Sequence, residues 1–95
     1  MNSKFFYVYL LFSKKDKKLY IGFTKNFETR IEEHLNGKVR ATKDRRPLIL
    51  IHYEALRNKK DAKARERFLK SGFGRSQLKK ALQNHLKEIG YKYLT

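Results

Sequence analysis

Phe5-Phe6-Tyr7-Val8-Tyr9-Leu10-Leu11-Phe12, then the polar Ser13-Lys14-Lys15-Asp16-Lys17-Lys18, then Leu19-Tyr20-Ile21-Gly22-Phe23 is the stretch on which the fold reading turns. Two runs of aromatic and β-favouring residues flank a turn-forming segment, which predicts a β-hairpin with antiparallel strands. Side chains alternate along a strand, so Phe6, Val8 and Leu10 fall on one face and Tyr7, Tyr9 and Leu11 on the other. Neither face is polar, so both are expected to be covered.

Downstream the period changes from two to about four. Phe27, Ile31 and Leu35 recur at helical spacing behind Asn26, a capping residue, and ahead of Gly37, a stop signal, so a helix is expected over about 27–36. Gly37 to Pro47 reads as a solvated basic loop, and Leu48 to Glu54 as a third strand with Pro47 at its entrance. Asn58 caps an expected helix over about 59–71. A Ser71-Gly72-Phe73-Gly74 turn follows, then a helix over about 75–88 with Leu78, Leu82, Leu86 and Ile89 in register and Gly90 as its end. Tyr91 to Thr95 is a short tail that packs or frays. The order strand, strand, helix, strand, helix, helix predicts an α+β fold, a small, mostly antiparallel three-stranded sheet flanked by helices.

The chain has 95 residues, enough for a single domain and too few for two separate cores. It carries 24 Lys and Arg against 9 Asp and Glu, a formal charge of +15. Solubility of a small domain needs a net charge of only about 2–8, so the excess points to a polyanionic partner, with nucleic acid first. The basic residues are scattered among acids and aromatics, which argues against a membrane-surface helix, and no apolar run approaches the ~20 residues of a membrane span. The start, Met1-Asn2-Ser3-Lys4, shows no small-residue cleavage site, so a cytoplasmic location is expected. With no cysteine, disulfides, thiolate zinc sites and cysteine nucleophiles are excluded, and a catalytic metal would be held by oxygen or imidazole.

Several residues stand out by chemistry. Arg30 and His34 are four apart on one helix and so lie on one side of it, able to face a single phosphate; a surface pair of Arg30 with Glu33 or Glu28, and a helix histidine at His34 with its hydrogen bonds satisfied, are the alternatives. Glu66 lies four after Ala62 and three before Leu69, the buried side of its helix, and a carboxylate turned inward needs a partner. That partner is either Arg30 or a hard cation such as Mg²⁺, which uses one or two carboxylates with waters and substrate phosphate. Glu54, ending the third strand, is the rival carboxylate. Lys38, Arg40, Lys43, Arg45, Arg46 and Arg75 are candidate backbone contacts, which position a nucleic acid without reading its sequence.

In order and spacing these elements resemble the GIY-YIG endonucleases. Tyr7-Val8-Tyr9 stands in place of Gly-Ile-Tyr, Tyr20-Ile21-Gly22 is intact, and Gly22 to Phe27 with Arg30 and His34 is similar to the turn and helix that carry the family's arginine and histidine. Glu66, within Ala62 to Lys70, falls where the family has its metal-binding glutamate. The likeness runs from about residue 6 to 75 of a single domain over 1–95, leaving 76–95 as a C-terminal helix and tail. It is nearest to small stand-alone bacterial members similar to the nuclease module of excision-repair incision proteins, which implies a DNA-repair setting. Tyr7 replaces the first glycine, and no asparagine stands at the polar position many members have after the glutamate.

The resemblance implies a divalent-metal-dependent endonuclease that hydrolyses phosphodiester bonds in nucleic acid, with DNA the first candidate. It implies Tyr9 as general base with Tyr20 orienting the water or exchanging that role, Arg30 stabilising the transferring phosphate, and His34 relaying a proton or holding a phosphate oxygen. Glu66 would hold Mg²⁺ or Mn²⁺. A phenol, with a pKa near 10, needs nearby positive charge to act at neutral pH, and Arg30 and the metal are expected to supply it. A non-catalytic nucleic-acid-binding module on the same fold is the alternative, and a protein partner could supply specificity. Either way, binding to random duplex DNA should fall steeply with salt, log K dropping by about 0.9 per phosphate contact per decade of salt. Titration across ionic strength checks this, and binding that ignores salt would contradict it.

Overall fold

The computed structural model describes residues 4–92; the last part of the expected tail, 93–95, lies outside them. Its elements are β1 (Phe6–Ser13), β2 (Leu19–Thr24), α1 (Phe27–Leu35), a short 3-10 turn (Lys43–Arg45), β3 (Leu48–Leu56), α2 (Lys59–Lys70), α3 (Gly72–Ala81) and α4 (Gln83–Glu88). The sheet has the order β2-β1-β3, with β1 antiparallel to both neighbours. The apolar hairpin run is therefore the central strand, the one place in a three-stranded sheet where both edges and both faces are covered.

The alternation along β1 sorts the interior. Val8 and Leu10 pack with Ile21, Ala62, Leu69 and Leu78 on the α2–α3 side, and Phe12 continues that face onto Leu86 and Tyr91. Tyr9 and Leu11 pack with Ile31 and Leu48 on the α1 side. The β1–β3 register shifts between Leu10 and Leu11, opposite His52 and Leu50. Ile51 is the extra residue, and it packs into the α2–α3 side. Such a bulge adds twist and re-aims the residues around it.

Helix ends follow local chemistry. Asn58 accepts from the N–H groups of Lys60 and Asp61 and caps α2, whereas Asn26 sits at the start of α1 without a capping side-chain bond. Gly37 ends α1 at φ +76, with its N–H on the His34 carbonyl and that of Lys38 on the Glu33 carbonyl, the paired closure a left-handed residue permits. Gly90 closes α4 in the same way at φ +83, and Tyr91 then packs on Phe12.

Two expectations are corrected. The segment 71–74 is not a loop: Ser71 ends α2 and at once caps α3 by accepting from the Gly74 N–H, so α3 begins before Arg75. Gly74 is what permits the join, since a Cβ there would overlap the carbonyl and ring of Phe68. The single helix over 75–88 is two, broken at Leu82, and the change of direction sets Leu86 against the Phe12–Tyr91 cluster. Helical periodicity continues through such a bend, so spacing alone does not reveal it.

Candidate active site

The two tyrosine segments face each other across the hairpin, with Tyr9 paired to Gly22 and Leu11 to Tyr20. A Cβ at Gly22 would overlap the phenol of Tyr9, so the glycine of Tyr-Ile-Gly is the space the Tyr9 ring fills. Tyr9 is 2 % exposed, and its hydroxyl is 2.7 Å from Nε2 of His34, which is fully buried. On the other side of that imidazole, Nδ1 is 2.7 Å from the hydroxyl of Thr42, also fully buried. Tyr20 completes the cluster, its ring centroid 6.5 Å from Tyr9 and 5.3 Å from His34. It is only half-buried, so it is the phenol with access to solvent.

Ionisation reflects this burial. The His34 pKa is pushed down to about 4, first by desolvation and then by the Arg30 charge, so the ring is neutral at pH 7. One ring nitrogen then donates and the other accepts, while the Tyr9 and Thr42 hydroxyls take the complementary roles. A depressed histidine pKa adds stability that is present above about 6.5 and lost as pH falls towards about 4. Tyr9 is pushed up to about 12: burial dominates, Tyr20 and Glu66 add to it, and Arg30 opposes it. Arg30 does act on the phenol as expected, but desolvation outweighs it, and the shift towards neutrality expected of Tyr9 is absent. Tyr9 is thus coupled to Tyr20, Arg30 and Glu66 together, residues delivered by β2, α1 and α2.

Arg30 pairs with Glu33 at 3.0 Å, with both side chains about two-fifths exposed. A pair of this kind contributes about 0.2–0.5 kcal/mol, so the guanidinium can exchange partners. Glu66 is 14 % exposed in its side chain and does not meet Arg30; its oxygens are 3.0 Å from Lys70 and 3.5 Å from Lys63. The rival Glu54 is tied to Arg65 by two bonds of 2.8 and 3.1 Å and to His52 at 3.0 Å, which holds its pKa below the usual carboxylate value despite burial. It links β3 to α2. Among the described residues no group of three or more His, Asp or Glu could hold a metal, so Glu66 would be a lone carboxylate ligand. That donor set fits a mostly hydrated Mg²⁺ or Mn²⁺ completed by substrate oxygens.

The basic residues are spread out. Lys38, Arg40 and Lys43 are exposed. Arg46 lies over Gly37 and donates to the Lys43 carbonyl. Arg45 is half-buried and pairs with Asp16 at 2.6 Å, the guanidinium hydrogen bond holding that acid down to about 2. The segment 37–47 is therefore anchored, by the turn at Lys43–Arg45 and by buried Val39 and Thr42, and is not simply a solvated loop. Arg75 lines a hollow of about 520 Å³ together with Arg45, Asp16, Lys18 and Lys79, so the fold brings these two candidate arginines to one place. Sequence reasoning missed Thr42 and the two lysines beside Glu66. The lysines are readable from i−3 and i+4 spacing, and Val39, an isolated aliphatic residue among basic ones, hints that its segment is anchored; nothing in the sequence marks Thr42.

Residues 5–84 match the family described as the GIY-YIG catalytic domain, and the chain belongs to that family. It is 37 % identical over 87 residues to a UPF0213 protein of Clostridium perfringens, covering 90 % of this chain and 92 % of that one. It is 41 % identical over 78 residues to a UPF0213 protein of Staphylococcus haemolyticus, covering 81 % and 93 %. No solved structure matches significantly.

The close approach of Tyr9 to Gly22 yields a direct prediction. In Gly22→Ala the new methyl must displace a buried ring held by His34, so the domain should lose about 1–3 kcal/mol of stability. Thermal or urea unfolding checks this; an unchanged midpoint would show that the phenol moves aside freely.

Proposed function

We propose that this protein is a divalent-metal-dependent endonuclease that hydrolyses phosphodiester bonds in DNA. One observation carries the reading. The buried Tyr9 hydroxyl rests on His34 with the Tyr20 ring beside both, and Arg30 and Glu66 lie near enough to act on its charge in opposite directions, so groups able to handle protons, phosphate and a cation converge on one point. Membership of the GIY-YIG catalytic-domain family supports nuclease chemistry. Among the described residues no helix is long and apolar enough to cross a membrane.

In this reading a phosphate oxygen draws Arg30 away from Glu33, its exposed partner. Neutralising Arg30 removes part of the charge that depresses His34 and so raises the proton affinity of Nε2. With Tyr9 donating to that nitrogen, its oxygen can accept a proton from the attacking water as its own passes to His34, and no free phenolate with a pKa of about 12 has to form. Tyr20 orients the water from the solvent side. A divalent cation held by Glu66 would supply Lewis-acid stabilisation of the leaving oxygen. Lys63 and Lys70 would have to yield the Glu66 oxygens, and both are about half-exposed. The same two lysines favour the second reading, a non-catalytic nucleic-acid-binding module, because they already satisfy the carboxylate.

Glu66→Gln should therefore stay folded, within about 1 kcal/mol of wild type because its ion pairs reach solvent, and bind DNA at least as tightly while losing cleavage. Tyr9→Phe should lose about 10²–10⁴-fold in cleavage, the range for general acid–base groups. A panel of single-stranded, duplex and branched DNA with RNA, digested with Mg²⁺ or Mn²⁺ alongside melts and binding, tests both. A wild-type protein that binds and never cuts would favour the binding module, and a Glu66→Gln variant that cuts normally would remove Glu66 from the metal role.

A further inference from the structure

On the α1 side of the sheet, beyond the tyrosine–histidine cluster, three aromatic rings are packed together, Tyr7 and Phe27 half-buried and Tyr53 exposed. Tyr7 stacks on Phe27 with centroids 4.8 Å apart, and Phe27 meets Tyr53 at 4.6 Å. Tyr53 is 53 % exposed, an unusual position for a ring in the middle of a strand whose neighbour is the buried Tyr9. The rings, with Lys25 and Asn26, border an open hollow of about 500 Å³. Two residues of its wall, Asn26 and Thr29, also border the next hollow, of about 340 Å³, which contains Arg30. Tyr53 pairs directly with Tyr9, and Tyr9 with Gly22, so the exposed ring and the candidate reacting centre lie in one row across the sheet, about 5 Å apart from strand to strand.

We propose that Tyr53, backed by Tyr7 and Phe27, is a stacking platform for one unpaired base of the DNA strand whose phosphate lies at Arg30; this rests on the nuclease reading above. The choice of occupant follows from charge and continuity. A flat aromatic face takes any base; Lys25 and Glu28 both border the hollow and offset each other there, Arg57 lies over the Phe5 ring at 5.2 Å, and the +15 chain as a whole repels cationic partners. Bases inside a duplex are stacked on one another and cannot reach such a face. The enzyme is then one for strands with unpaired nucleotides next to the scissile bond, such as flaps, bubbles and single strands, in preference to continuous duplex.

Metal-free binding to three probes of equal length tests the platform: an oligothymidylate, an abasic deoxyribose-phosphate chain and a blunt duplex. Wild type should bind oligothymidylate more tightly than the abasic chain. Tyr53→Ala should lose about 5- to 150-fold on oligothymidylate alone, the equivalent of about 1–3 kcal/mol for one stacked base, and Tyr53→Phe should retain wild-type affinity. Because the chain has no tryptophan, its emission comes from tyrosine, and it should be quenched by oligothymidylate more than by the abasic chain whatever the variants do. Equal affinity and quenching with and without bases, or a Tyr53→Ala loss that is the same on all three probes, would overturn the platform and leave the rings as a packed or protein-covered face. Failure to bind any of the three probes would overturn the nuclease reading itself.

Discussion

The arrangement rests on a chain of two hydrogen bonds, Tyr9 to His34 and His34 to Thr42. It joins the central strand, the first helix and the basic segment after it, sequence distances of 25 and 8 residues. All three side chains are buried, so these two bonds offset much of what each loses in leaving water, and Arg30 also acts on the Tyr9 hydroxyl; an unpaired buried polar group costs about 1–3 kcal/mol. Gly22 gives the Tyr9 ring its place, and the left-handed turn at Gly37 brings the chain round so that Thr42 reaches Nδ1. Remove any member and the phenol has no fixed position beside Arg30.

The elements legible in the sequence are those with strong local signals. The aromatic alternation of Phe6 to Phe12 assigned both sheet faces correctly, and Asn58, Gly37 and Gly90 mark ends that the structure closes with the expected bonds. What escaped depends on contacts between distant residues or on close backbone approach. The start of α3 hinges on how near Gly74 comes to Phe68, the break at Leu82 on where Phe12 offers a place for Leu86, and the anchoring of Arg45 on Asp16, 29 residues earlier. Of the site, the residue types and their order were readable; the burial that neutralises His34 and raises Tyr9 was not, because it comes from packing that no spacing encodes.

Charge is divided between residues that hold the fold and residues left exposed. Arg45 and Arg65 are bound to half-buried carboxylates and stabilise loop and helix positions. Lys38, Arg40 and Lys43 remain exposed, and Arg30 pairs with Glu33 near solvent while also acting on the Tyr9 phenol. The Tyr9–His34 cluster sits on the central strand, with α1 presenting Arg30 and α2 presenting Glu66 towards the same phenol.

His34 is a buried, neutral link between Tyr9 and Thr42, and an NMR titration of its ring in the metal-free protein reads that state. The midpoint should lie near 4, far below the ordinary 6.5, and should fall further in Thr42→Val, because the isosteric valine removes the oxygen that accepts from Nδ1–H and admits no water in its place. A wild-type midpoint near 6.5, unchanged by Thr42→Val, would contradict that link.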